Sequence, residues 1–379
     1  AHQVSTGAGV TVAVLDTGVD ITHPELAGRI VPGYDFVDFD DDPSEVGGYT
    51  DATPAYGHGT HVAGAIALAA PGASIMPIRV LDPEGNGNIW VLAEALLYAV
   101  DPDGDPATPD GAHIVNLSLG TLRRTDLLGE IVREVVCYGV DDDDVEEVEP
   151  VPPAPPAPTS TPVPPAPPLP TPTPVPPPPP PVSDDDFDDD FDDDFDDDID
   201  DIDDDFDDDD SGSTRGVTTF RVSASGSGQH VMRASGNQAF QVSGDTPTCF
   251  GGTVVVAAAG NSGTDTPEYP AAEDQSTVLS VGASNQEGQL TDASNFGAWV
   301  DVTAPGEEII STMPDGRYAS WSGTSMASAL AAGHAALIRA MYPDMSAEDL
   351  IDRVVSTSAA IPGPVPWRID AAAAVTAPR

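Results

Sequence analysis

Residues 10–16, VTVAVLD, are a run of apolar and β-branched side chains that ends on an aspartate. With no polar residue alternating through it, the run fits a strand covered on both faces, as in a parallel sheet. The chain downstream repeats the theme. HVAGAIALAA (61–70) reads as a small-residue helix closed by Pro71 and Gly72, and SIMPIRVLD (74–82) as a second strand. Pro77 within it predicts an edge or irregular strand, because proline cannot donate to a ladder. VLAEALLYAV (91–100) has helical spacing, AHIVNLSLG (112–120) reads as a strand, and TDLLGEIVREVVCYG (125–139) as a helix. TVVVAAAGN (253–261) is another buried strand, and Ser346 with Asp349 three residues on announces the last helix by a capping box. Alternation of strand and helix predicts an α/β protein, three layers (α/β/α) around a mostly parallel sheet.

The helix ending near Cys137 finds its return strand only at Thr253, and connections in such folds are usually a handful of residues. One body, residues 1–140 and 249–379, is therefore interrupted by an insertion. Residues 141–210 hold 28 acidic side chains and no basic one, and Pro150 to Val182 holds 20 of the 40 prolines. The proline tract predicts extended polyproline II, reaching on the order of 100 Å. The DDDF repeat, with like charges and sparse apolar residues, predicts disorder. Residues 211–248 have short alternating stretches, such as Thr219 to Val222 and Ala239 to Val242, that suggest a small β-rich segment. Cys137 and Cys249 flank the insertion. A bridge between them would close a loop of 113 residues, worth roughly 4–5 kcal/mol in the chain-entropy model, and two separate buried thiols are the alternative.

The 379-residue chain has a formal charge of −51, with thirteen arginines and no lysine. Nucleic acid and anionic membrane surfaces are excluded as partners, since both are bound by clustered cations. Outside 141–210 the charge is still −23, which favours cationic substrates at low ionic strength. No apolar run approaches the roughly 20 residues of a membrane span, and no signal peptide opens the chain.

Three segments carry chemistry. DTG puts Asp16 at the carboxyl end of the first strand, where open parallel sheets place their sites. YGHGTHVAG puts His58 and His61 beside glycines at a helix start, and SGTSMAS puts Ser325 where another helix begins. A serine hydroxyl becomes a nucleophile when a base takes its proton, imidazole titrates in the right range, and a buried carboxylate holds the imidazole tautomer. Singly, DTG also reads as a turn or cap and Ser325 as an N-cap. HGTH lacks the glutamate and the spacing of four of helix-borne zinc sites. These residues leave open which histidine is the base.

VAVLDTGVDITHPEL, GHGTHVAGAIA and SWSGTSMAS resemble the three catalytic blocks of the subtilases, in the chain order Asp, His, Ser. IVNLSLG, VVVAAAGN, NFGAWVDVTAPG and WRIDAAAAV resemble further segments of that family; residues 141–248 resemble none. The resemblance implies a secreted or cell-surface serine endopeptidase acting on proteins or peptides as a monomer. It implies Asp16 as orienting carboxylate, His58 as general base, Ser325 as nucleophile and Asn261 as oxyanion donor, with His61 structural. Ser118, Leu119 and Gly120 would be an exposed strand edge that binds substrate backbone. Ala258 and Gly260 would line a specificity pocket, their small size leaving room for a large side chain. No cofactor is required for the chemistry. A structural calcium ion is possible, and DFVDFDDDP (35–43) is a candidate loop for it, a plain solvated loop being the alternative. The family commonly has proline where this chain has Ala329, and the absent pro-region implies a mature or trimmed form. The alternative from another class is a surface or structural protein that displays the Pro/Asp insertion on a subtilase scaffold.

Overall fold

The computed structural model describes residues 1–105, 108–137, 252–273, 276 and 278–378. The insertion at 141–210, the β-rich stretch at 211–248 and the Cys137–Cys249 pairing lie outside the described residues.

Strands β1 (Thr11–Asp16), β2 (Tyr34–Asp35), β3 (Ser74–Arg79), β4 (Ile114–Leu117), β5 (Val254–Ala258), β6 (Val278–Ser284) and β7 (Val302–Pro305) pair in parallel. A hairpin, β8 (Ile309–Met313) and β9 (Arg317–Trp321), stands apart from that sheet. At one edge β11 (Trp367–Arg368) joins β7 in parallel, and β10 (Ala359–Ala360) pairs with it antiparallel. The helices are α1 (His58–Ala69), α2 (Ile89–Val100), α3 (Asp126–Cys137), α4 (Thr324–Met341), α5 (Ala347–Ser356) and α6 (Ala371–Thr376). Helix α1 packs on α4, and α4 runs across β4 to β7, while α2 and α3 pack together against β1, β3 and β5. The three layers expected from the strand and helix alternation are present. Strands β4, β5 and β6 are buried at every position, which is why their sequences are apolar without alternation.

The strand order is β10-β11-β7-β6-β5-β4-β1-β3-β2. From β1 the chain goes outward to β3, whereas from β4 it goes outward to β5, so a crevice opens between the carboxyl ends of β1 and β4. Asp16 ends one strand and Ser118 follows the other. The described chain stops after α3 and resumes at Gly252, ahead of β5. Arg339 Nη2 donates to Gly252 O (2.9 Å) and Thr253 Oγ1 to Ala112 O (2.7 Å), which fixes the start of β5.

Two local expectations are revised. Strand β3 is not the edge; β2 lies outside it, but pairs only at Tyr34–Ile78 and Asp35–Arg79, with a single bridge from Ile30 to Ile75. The gap falls at Pro77, which has no N–H to give, and Gly33 fits there because a Cβ would strike the Pro77 carbonyl. Helix α5 is capped by Ser346 as expected, its Oγ accepting from Asp349 N at 3.0 Å, but it is not the last. Asp370 caps α6 by accepting from Ala372 N and Ala373 N.

His334 in α4 is buried with no hydrogen-bond partner for either ring nitrogen. Burial pushes its pKa down to about 4, against a small opposing pull from Asp370. Because the unfolded chain binds that proton more readily, stability is lost as pH falls from about 6.5 toward about 4, by up to about 3 kcal/mol. In urea unfolding at pH 7.5 and 4.5, His334→Leu is expected to shrink this loss; an unchanged difference between the two pH values would contradict it.

Candidate active site

Asp16 and His58 are both fully buried, and His58 Nδ1 lies 2.7 Å from Asp16 Oδ1. A carboxylate only accepts, so Nδ1 carries the proton and Nε2 is the basic nitrogen. Thr17 N donates to the same Asp16 oxygen at 2.8 Å. The contact requires α1 to start directly on the chain leaving β1. Gly59 permits this, because a Cβ there would strike Gly18 O and come within 2.9 Å of Asp16 Cβ. Gly57, at φ 88°, turns the chain into the helix.

Gly57 offers α1 no side-chain cap, and Glu45 supplies one from a distant loop. Its Oε2 accepts from Gly57 N (3.0 Å), and its Oε1 from Thr60 N (3.1 Å), Thr60 Oγ1 (3.0 Å) and Thr17 Oγ1 (3.2 Å). Glu45 thus ties the segment after Asp16 to the one that carries His58, with its charge at the helix N-terminus. The residue as a whole is partly exposed, but its carboxylate turns inward. Burial pushes its pKa up to about 7, the charge of Asp16 adds to the rise, and the donors from Gly57 and Thr60 oppose it. For His58, burial alone would lower the pKa, but the charge and hydrogen bond of Asp16 and the charge of Glu45 raise it above the ordinary 6.5.

His61 lies apart from this pair. Its Nε2 contacts Ile309 O (3.1 Å) and Ala319 O (3.2 Å), bracing the hairpin β8–β9, and burial followed by the neighbouring His58 lowers its pKa to about 4. Trp321, at the end of β9, stacks on His61 (centroids 5.0 Å apart) and on His58 (5.9 Å). It lies four residues before Ser325, so it joins His58 to the approach of α4.

Ser325 is the second residue of α4, and its Oγ donates to Ser118 O at 3.3 Å. His58 Nε2 is buried and has no hydrogen-bond partner, so Ser325 is not joined to it by a hydrogen bond in this state. Serine and imidazole contacts often tighten only when substrate arrives. Asn261 Oδ1 accepts from Thr324 N (2.8 Å) and Thr324 Oγ1 (3.1 Å), which leaves its amide N–H groups beside Gly323 at the start of α4. The first-turn N–H groups of α4, Ser325 among them, have no intrahelical acceptor.

The loop carrying Asn261 is pinned by Asn295, a residue that sequence reading did not single out. Asn295 Oδ1 accepts from Ser262 N (3.0 Å) and Thr264 N (3.2 Å), and its Nδ2 donates to Ala259 O and Glu268 Oε1, both at 2.9 Å. Gly260, at φ 100°, donates its N–H to Thr324 Oγ1 at 3.1 Å.

Ser118, Leu119 and Gly120 are buried, contrary to the exposed edge expected. Ser118 packs under Ser325 and bonds to its carbonyl, and Thr121 pairs with Tyr269, which closes the segment over. In the acidic loop 35–43 no three carboxylates converge among the described residues. Arg79 takes both Asp35 and Asp38 through Nη1 at 2.6 Å, while Asp40 and Asp42 accept backbone N–H groups nearby. Among the described residues the one group of three carboxylates with converging oxygens is Asp101, Asp103 and Asp110.

A buried imidazole oriented by a carboxylate, with a helix-borne serine on the same crevice, is the set of groups with which a serine hydrolase can work. The family profile described as the subtilase family matches residues 7–372. A thermophilic serine proteinase of Bacillus sp. (strain AK1) is 30% identical over 349 residues, 89% of this chain and 54% of that protein. Thermitase of Thermoactinomyces vulgaris is 28% identical over 348 residues, 89% of this chain and 77% of thermitase. This chain thus spans about half the length of the first relative and about three quarters of the second. In fold it is similar to a protease of Pseudoalteromonas arctica PAMC 21717, with TM-score 0.63 at 22% identity, covering 99% of this chain and 92% of that one. The chain belongs to the subtilase family. No described helix is long and apolar enough to cross a membrane.

Replacing Glu45 by Gln keeps the side chain's length and removes its charge. The acidic limb of kcat/KM against pH, which reports deprotonation of His58, is expected above 6.5 in the parent and lower in Glu45→Gln. Coincident limbs would contradict the coupling.

Proposed function

We propose that the chain hydrolyses internal peptide bonds through Asp16, His58 and Ser325. The observation that carries this reading is the His58 ring, with Nδ1 held by Asp16 and Nε2 buried without a partner. On substrate binding, Ser325 Oγ leaves Ser118 O, passes its proton to Nε2 and attacks the scissile carbonyl. Asp16 stabilises the imidazolium, which then protonates the leaving amine. Water activated by the same nitrogen hydrolyses the acyl-enzyme. The oxyanion faces the Asn261 amide and the Ser325 backbone N–H at the positive end of α4. Ala258 and Gly260 border the pocket for the substrate's side chain. Each proton and charge in this scheme is handled by a protein group, so it calls for no cofactor. Action outside the cell as a monomer on proteins or peptides is part of the reading and rests on the family resemblance.

A fluorophosphonate is expected to label Ser325 in the intact chain, with the adduct mapped by peptide mass. Folded protein that takes no label there would contradict the assignment. Asn261→Ala is expected to lower kcat by about 10² to 10³, a magnitude taken from the equivalent donor in subtilisin rather than from these distances, with KM little changed.

A further inference from the structure

We propose that Trp321 is a positioning residue for His58, its indole face stabilising the positive charge that the ring acquires on taking the Ser325 proton, an inference that rests on the serine-peptidase reading above. Asp16 meets His58 at one edge, through Nδ1, and the serine must meet it at another, through Nε2. A face of the ring is covered by Trp321, with centroids 5.9 Å apart and planes at 28°. The face of an indole is the negative side of its quadrupole, and a cation within about 6 Å of it is attracted. His58 is fully buried, so water does little to weaken that attraction. The attraction grows as the ring becomes charged. It therefore favours the transition state over the resting enzyme with a neutral imidazole, and so acts on rate.

The hairpin β8–β9 holds the indole for this role. Ser311 Oγ donates to His61 O and Thr312 Oγ1 to Thr60 O, both at 2.7 Å, so the hairpin is bonded to the helix that carries His58. Gly64 lets the two elements approach, since a Cβ there would strike both hydroxyls. His61, one turn along α1, lies closer to the indole, at 5.0 Å and 11°. Its Nε2 is taken up by the Ile309 and Ala319 carbonyls, and burial followed by His58 pushes its pKa down to about 4. Near neutral pH it is an uncharged plate that keeps the indole flat. Asp16 on β1 and Glu45 before α1 are the groups whose charge acts on His58, and neither touches the indole by ring contact. Among the described residues, His58 is thus the stacked ring that can present a cation to Trp321 near neutral pH.

The chain has four tryptophans and can be produced with tryptophan, monofluorotryptophan or tetrafluorotryptophan, which draw charge from the indole face and hardly change its shape. The value of kcat/KM for a peptide 4-nitroanilide is measured against pH, per Ser325 site counted by fluorophosphonate. With fluorination the high-pH plateau is expected to fall stepwise, by about tenfold in the tetrafluoro protein, and the acidic limb to move to lower pH by about tenfold in proton concentration. Both change because the same cation loses its partner in the free enzyme and in the transition state. The same series in Trp321→Phe, where only the remaining tryptophans carry fluorine, is expected to be flat and to start from a lower plateau. A plateau and limb that ignore fluorination, or that respond equally in Trp321→Phe, would overturn the proposal. So would a falling plateau with an unmoved limb, which is what an indole acting only by packing would give. Failure of Ser325 to take the label in folded protein would instead count against the peptidase reading itself.

Discussion

The contact between His58 and Asp16 is the constraint around which the rest is arranged. Both groups are fully removed from water at 2.7 Å, where an uncompensated charge costs several kcal/mol. Such a pair survives only if each partner is held where the other needs it. Strand β1 delivers Asp16 at the point where the sheet's connections reverse, and α1 starts on a glycine pair so that its first side chain reaches the carboxylate. Thr17 and Glu45 then lock the two segments together. The same device that fixes the geometry raises the basicity of His58, because Asp16 and Glu45 both favour its protonated form.

Ser325 and Asn261, the proposed nucleophile and oxyanion donor, follow the same logic of borrowed hydrogen bonds. Asn261 is oriented by Thr324, which precedes Ser325, so the two side chains are tied to the same start of α4. Asn295 saturates the loop behind them with four hydrogen bonds. Trp321 lies nearly flat against His61 and at 28° to His58, so the hairpin that leads into α4 is registered against α1 by ring stacking as well as by hydrogen bonds.

Much of this was legible because burial on both faces of a parallel sheet leaves an unbroken apolar run, as in residues 10–16 and 253–258. Asp16, His58 and Ser325 were legible as chemical types at strand and helix ends. The choice of His58 over His61 came only from family resemblance, and its physical reason is visible in space: one ring meets Asp16, the other meets two hairpin carbonyls. Glu45 was not legible, since a lone glutamate after an aspartate-rich loop carries no local signal, and its four donors come from residues 17, 57 and 60. Asn295 and Glu268 were hidden for the same reason, their partners lying across the fold. The burial of residues 118–120 was missed because it depends on pairing with Tyr269, about 150 residues away.

The high acidity of the chain also looks different at the level of single residues. Among the acidic residues outside the 141–210 tract, Glu45 and Glu268 turn their carboxyl groups inward, onto Thr60 and Asn295, and are not part of a solvated surface. The central claim, that Asp16 and its surroundings hold a proton on His58 Nδ1 and raise the basicity of the ring, is tested most directly by proton NMR of the intact chain in water. A far-downfield Nδ1 resonance, lost in Asp16→Asn and titrating with a pKa above the ordinary 6.5, is the expected result. A His58 that gives no such resonance, or that titrates at or below 6.5, would contradict the account.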